Sequence, residues 1–170
     1  MIEANKNSDF KIENGILTFS DNCTKIKEKQ FKGNAEIKKV IIGKNIISIG
    51  AHAFEGCENL ESVSMAEGVK EIHEFAFKNC YSLETVSFPK TLIRVDNSAF
   101  GKTEDEECGM LVDEGCVKIN RIFYSGPKAT FYRVTNFQKI FVLDSNLSYS
   151  DMKITCSDGD IVFSNKTIDW

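Results

Sequence analysis

The sequence predicts a solenoid of short parallel strands joined by short helical or 3-10 return turns and closed by a β-rich C-terminal cap. Phe31, Phe54, Phe77 and Phe100 stand 23 residues apart, and six further columns keep the same period, so the chain is a stack of similar turns. Each turn also holds a segment such as Val63-Ser64-Met65, where apolar and polar residues alternate with the period of a strand that buries one face.

The register runs column by column. Leu17, Val40, Val63 and Val86 precede the phenylalanines by fourteen residues, and Phe19, Ile42, Met65 and Phe88 by twelve. Cys23, Ile46, Val69 and Leu92 precede them by eight, Ile26, Ile49, Ile72 and Val95 by five, and Gln30, Ala53, Ala76 and Ala99 by one. Ile37, Leu60 and Leu83 open turns two to four, with Asn14 as an imperfect first member. With 42% hydrophobic residues overall, seven matching columns are not a product of composition.

Each turn therefore contributes a strand and then a return. The segment from Gly50 to Cys57 suits a tight helical or 3-10 turn, and alanine beside the phenylalanine lets neighbouring turns approach. Stacking at about 4.8 Å per strand would align the phenylalanines in a ladder, with each burial contributing roughly 1.5–3 kcal/mol. No turn can bury its apolar face alone.

These columns support a single domain over 1–170, with a lead-in at 1–13, four 23-residue repeats at 14–103, and an irregular loop and cap at 104–170. The acidic run Thr103 to Glu107 breaks the register, and Ile122 resumes a strand-like segment. Phe123, Tyr124, Phe131, Tyr132, Phe137 and Phe141 make the region beyond it aromatic-rich. It is read as the cover that an open solenoid end needs; the alternative is an aromatic dimer or ligand surface. Asp158-Gly159 between two apolar runs is a hairpin signal.

The segments IIGKNIISIGAHAFEGCENLESV from Ile41 and GVKEIHEFAFKNCYSLETV from Gly68 resemble the BspA-type leucine-rich repeat, and the likeness extends from about Leu17 to Phe100. IFYSGPKATFYRV from Ile122 and KITCSDGDIVF from Lys153 resemble the closing segments found after such repeats. The resemblance implies a right-handed leucine-rich repeat solenoid used for adhesion or protein recognition, usually on bacterial or protist cell surfaces. It implies no catalytic residues.

Residues elsewhere carry no competing chemistry. His52 and His73 fall in different columns, and Glu71, His73 and Glu74 read as a polar loop edge. No catalytic, cofactor-binding or metal-binding residue is assigned, no cofactor is expected, and the chain is read as no enzyme. Among six cysteines there is no CxxC pair. Cys57 and Cys80 share a column beside the buried phenylalanines, which suits small apolar fillers better than a bridge or zinc. Cys23, Cys108, Cys116 and Cys156 are isolated.

Met1 to Phe10 has no apolar stretch of signal-peptide length and no 18-residue apolar run occurs. The expectation is a cytoplasmic protein without membrane insertion, with the cell surface as alternative. Sequons at Asn22, Asn146 and Asn165 would matter only in a eukaryotic secretory pathway.

Charge is uneven along the chain. Residues 1–44 net +3, residues 45–116 net −9 and residues 117–170 net +2. The acidic middle disfavours direct nucleic-acid binding, which relies on Lys and Arg to neutralise phosphates. It allows a second reading: a small intracellular inhibitor or nucleic-acid mimic that occludes a basic protein surface through residues such as Glu58, Glu61 and Glu84.

The leading reading is a non-enzymatic adhesion or scaffolding module, monomeric or weakly homodimeric, whose partner is another protein. Its candidate contact residues are the outward strand positions Ile16, Lys39, Ser62 and Thr85 in one column and Thr18, Ile41, Ser64 and Ser87 in the next. Four strands give a strip of about 200 Å², short of the roughly 800 Å² per partner in a standard interface. Neither column has an aromatic anchor.

Overall fold

The computed structural model describes residues 9–101, 119–135, 153–161, 163–164 and 167–168. Strands β1 (Phe10–Glu13) and β2 (Ile16–Phe19) form an antiparallel hairpin around Asn14 and Gly15, whose φ angles are 50° and 78°. Asn14 is thus an exposed turn residue rather than the first member of the Ile37–Leu60–Leu83 column. Asparagine followed by glycine accepts left-handed backbone at low cost. The hairpin folds β1 over the first edge of the sheet, and Phe10 and Ile12 pack partly buried against the core.

From there each turn supplies two strands. The first contains β2 and the two-residue β3 (Lys25–Ile26); the second, β4 (Lys39–Ile42) and β5 (Ser48–Ile49). The third contains β6 (Ser62–Met65) and β7 (Glu71–Ile72), and the fourth β8 (Thr85–Phe88) and β9 (Arg94–Val95). The long strands pair in parallel with equivalent residues opposite one another, as in Val40 beside Val63 and Val63 beside Val86. The short strands form a second parallel sheet, in which Ile26, Ile49, Ile72 and Val95 stack in register. Two residues are too few to show an alternation, so this sheet was visible in the sequence only as an apolar column.

The phenylalanine ladder lies between the sheets and the return turns. Phe31, Phe54, Phe77 and Phe100 stack with ring centroids 5.3, 5.2 and 5.3 Å apart and planes within 14° of parallel. Phe10 and Phe19 meet the first ring edge-on, and Phe88 meets the last. The ladder therefore ends in aromatic contacts at both sides, a geometry that the ring quadrupole favours.

The returns combine two hydrogen-bond patterns. Ala53, Glu55 and Cys57 donate to the carbonyl three residues back, while His52, Phe54 and Gly56 donate to Glu74, Ala76 and Lys78 of the following turn. The first set is the expected 3-10-type bonding. Left-handed backbone at His52 and Gly56 turns the other amides along the stack and prevents a continuous helix. Cys57 and Cys80 are buried free thiols that donate to the Phe31 and Phe54 carbonyls. Gly68, at φ 142°, is held so close to Lys44 that a Cβ would overlap the Lys44 carbonyl oxygen.

After the fourth turn the stack continues at a longer interval. Strand β10 (Arg121–Tyr124) pairs in parallel with β8, setting Arg121 beside Thr85 and Phe123 beside Ser87. Helix α1 (Lys128–Thr135) follows Pro127, and the Asp158 carboxylate accepts from the Lys128 amide at 2.9 Å. Phe131 and Val134, one turn apart, are buried, and Phe131 packs on Tyr124 at 5.5 Å. The cover is β-rich as expected, and this helix is an element that the sequence pattern did not announce.

Strand β11 (Lys153–Cys156) pairs in parallel with β10, and β12 (Gly159–Ile161) returns antiparallel to it. The hairpin loop is Ser157-Asp158, one residue earlier than expected, with Gly159 at φ 114° opposite Cys156. The large sheet thus has eight strands in the order β1-β2-β4-β6-β8-β10-β11-β12. Strands β13 (Phe163–Ser164) and β14 (Thr167–Ile168) form a separate antiparallel pair. The acidic break at 103–107, Cys108, Cys116, Phe137, Phe141, Asn146 and Asn165 lie outside the described residues.

Candidate functional site

Parallel pairing in perfect register turns the outward strand positions into two continuous rows. One row runs Ile16, Lys39, Ser62, Thr85 and continues into Arg121 and Lys153. The next runs Thr18, Ile41, Ser64, Ser87 and continues into Phe123 and Thr155. The eight candidate residues from the first four turns therefore lie together on one face. Ile16 and Ile41 are 38% and 40% exposed, and Lys39 and Ser64 are exposed, while Thr18, Ser62, Thr85 and Ser87 are half-buried.

The extension into β10 changes the character of this face. Phe123 is 45% exposed and stands in the same row as Ile41, supplying the aromatic side chain that the first four turns lack. Its signal in the sequence was the alternation Arg121-Ile122-Phe123-Tyr124, but it falls 36 residues after its partner in β8 rather than 23. The two rows also span six strands instead of four, about 300 Å² at the usual strand spacing.

From β2 to β11 the charges of the two rows are cationic, while the edge strands add Lys11 and Glu13 beside Thr18 and Ile16, and Asp160 beside Thr155. Between those edges the charged members are Lys39, Arg121 and Lys153, and among the described residues no carboxylate lies within ion-pair distance of Lys39. Arg121 reaches Glu84 at 3.7 Å, and Lys153 reaches Asp160 of β12 at 3.3 Å. Exposed pairs of this kind contribute at most about 1 kcal/mol each and leave the cations open to a partner.

The acidic candidates are placed differently. Glu58, Glu61 and Glu84 are exposed but belong to neither row. Glu61 and Glu84 immediately precede β6 and β8, linked by the Glu84 amide donating to the Glu61 carbonyl, while the Glu61 amide donates to Lys38. Glu58 sits in the preceding turn. Other carboxylates face elsewhere: Glu55 on the returns accepts from Lys32 at 2.8 Å and His52 at 2.7 Å. Glu67 binds the Ser125 hydroxyl at 2.6 Å and ties the third turn to the end of β10. Residues 45–101 carry eight acidic and four basic side chains, so more than half of the net −9 arises at positions outside the described residues.

Two of these carboxylates are held below their ordinary range. Burial pushes the Glu55 carboxyl up, but hydrogen bonds from Lys32 and His52 outweigh it. Burial acts likewise on Glu67, where Ser125 and the Lys90 and Thr91 amides reverse it. Glu71 and His73 stand 3.5 Å apart and are both half-buried. Among the described residues, no group of three or more His, Cys, Asp or Glu could hold a metal ion, and no helix is long and apolar enough to cross a membrane.

Comparison with known proteins agrees with this architecture. The family model described as BspA type leucine rich repeat region, in 6 copies, matches residues 5–110. No curated protein matches the chain. Among solved structures it is similar to a leucine rich cell surface protein from Faecalibacterium prausnitzii, with 22% identity and a TM-score of 0.50 over 79% of this chain and 36% of that one. It is also similar to a leucine rich repeat protein from T. pallidum, with 19% identity and a TM-score of 0.45 over 78% of this chain and 92% of that one. The chain thus spans about a third of the length of the F. prausnitzii protein. The expectation of a cytoplasmic protein is corrected by these matches, because the family and the cell surface relative point away from that compartment. That expectation rested on the composition of Met1 to Phe10, which speaks only of those ten residues.

Proposed function

The chain belongs to the BspA-type leucine-rich repeat family, and from that premise we propose that it is a non-enzymatic adhesion module that grips a partner protein with the outward face of its eight-stranded sheet. Leucine-rich repeats are protein-interaction modules, and a stack of rigid strands holds contact residues at fixed spacing, so that binding orders side chains but little backbone. The observation that carries the reading is the exposed Phe123 in register with Ile41, Ser64 and Ser87. Aromatic anchors of this kind dominate interface energetics.

Adhesion accords with a cell-surface setting like that of the F. prausnitzii relative. An area of about 300 Å² is still under half of a standard half-interface, so the partner also touches the flanks of the strands. The test places the photo-crosslinking residue benzoylphenylalanine at Ser64, and separately at Ile93, which is 65% exposed beside the second sheet. Irradiation against the surface proteins of the cells that make the chain should give discrete adducts from Ser64 that disappear with Phe123→Ser. Adducts from Ile93 alone, or equal adducts from both positions, would refute the assignment of the face.

A further inference from the structure

Strands β4 and β10 present the same pair of chemistries at the same register, a cation followed two residues later by a large apolar side chain. Lys39 and Ile41 form one such pair, Arg121 and Phe123 the other. Between them lie β6 and β8, whose outward residues are the small Ser62, Ser64, Thr85 and Ser87. The face is therefore a trough with a floor of hydroxyl side chains and two matching walls. The walls stand three strand spacings apart, about 14 Å, and an α-helix with its side chains is about 10–12 Å across.

We propose that this trough takes an acidic amphipathic helix of the partner protein, lying along the strands between the two walls. The inference rests on the sheet face being the contact surface. Within each wall the cation and the apolar side chain are separated by two residues of strand, about 6.6 Å, close to the 6 Å rise between helix positions i and i+4. The helix therefore meets each wall with a carboxylate and an apolar side chain three or four residues apart. Charge fixes the sign along the walls: Lys39 has no carboxylate within ion-pair distance among the described residues, and Arg121 has the 3.7 Å contact with exposed Glu84, which with Glu61 precedes the floor strands and places the carboxylates of the trough at one end of it. A lysine- or arginine-bearing helix would set like charges against both walls.

The test pans a display library of random 16-residue helical peptides on the chain. The expected consensus has carboxylates spaced three or four residues from Leu, Ile, Phe or Trp. Affinity of the enriched peptides should fall about tenfold or more with Lys39→Glu and with Phe123→Ser, while Glu58→Lys and Ile93→Ser leave it unchanged. All four positions are exposed, and unchanged urea midpoints confirm that the variants fold. A basic or neutral consensus, or no enrichment, overturns the acidic helix. Peptides blocked by Ser64→Arg yet indifferent to Lys39→Glu refute the helix chemistry and leave the contact face standing. Peptides indifferent to Ser64→Arg refute both.

Discussion

Replacing Phe77 by alanine removes the ring that holds the middle of the ladder. Phe77 is fully buried and stacked between Phe54 at 5.2 Å and Phe100 at 5.3 Å, with planes 4° and 14° from parallel. The amide of Phe77 bonds the carbonyl of Ala99, and that of Phe54 bonds Ala76, so the backbone on either side is fixed by the stack. The site cannot collapse, and the cost is that of a Phe-to-Ala change in a rigid core, about 3–5 kcal/mol. Two lost ring contacts place it toward the upper part of that range. At a urea slope of roughly 2 kcal/mol per molar, the unfolding midpoint should drop by about 1.5–2.5 M. The control is Ser64→Arg on the outward row, which should cost under about 1 kcal/mol. A harmless Phe77→Ala, or equal losses from the two variants, would refute the assignment of inward and outward columns.

Gly68→Ala should destabilise by about 2–4 kcal/mol in the same assay, because the new Cβ meets the Lys44 carbonyl and the backbone is left-handed; a neutral variant would show that this turn relaxes. Cys23, Cys57, Cys80 and Cys156 should label slowly with iodoacetamide at pH 8 and completely after denaturation without reductant, since all four are buried and burial pushes Cys57 and Cys156 up to about 11. A bridged Cys57–Cys80 peptide would overturn that expectation. The depressed carboxyls of Glu55 and Glu67 favour the folded state while ionised, so their contribution is full above the ordinary carboxylate value of about 4.3 and is lost as pH falls through their lower folded values. The urea midpoint should therefore hold from pH 7 to about 5.5 and fall below about 4.5, with Glu55→Gln flattening the drop; a fall between pH 7 and 6 would contradict it. The triple change of Glu58, Glu61 and Glu84 to Lys should leave the fold intact and leave the Ser64 crosslinks in place; loss of those crosslinks would return the acidic segment to the binding surface.

The sequence revealed the repeat because burial leaves a periodic trace. The columns that enter the core, such as Leu17 through Val86 and Phe31 through Phe100, had to stay apolar for the turns to stack, with Gln30 as the polar exception at the head of the alanine column. The eight outward residues followed from the same register, because strand alternation fixes which side chain faces out once its neighbour faces in. Asn14 departs from the Ile37–Leu60–Leu83 column because the Asn-Gly pair between Phe10–Glu13 and Ile16–Phe19 makes it a left-handed turn residue. Helix α1 escaped because eight residues hold only two buried side chains one turn apart, too short a pattern to oppose the aromatic composition around it.

Charge shows where linear reasoning loses its hold. The net −9 of residues 45–116 suggested an acidic surface and hence a basic partner. Folding sorts those carboxylates by position within a turn rather than by position along the chain. Glu55 turns to the returns, Glu67 to the end of β10 and Glu71 to the second sheet, while Glu84 lies beside Arg121 in a loose, exposed contact. The cations that meet on the large sheet come from residues 39, 121 and 153, which no sequence window unites. Electrostatic attraction acts over about a Debye length of 8–10 Å, so a partner lying on this sheet responds to the cations beneath it more than to the segment average. The same register that buried the phenylalanines thus determines the sign of charge that the outward face offers to a partner.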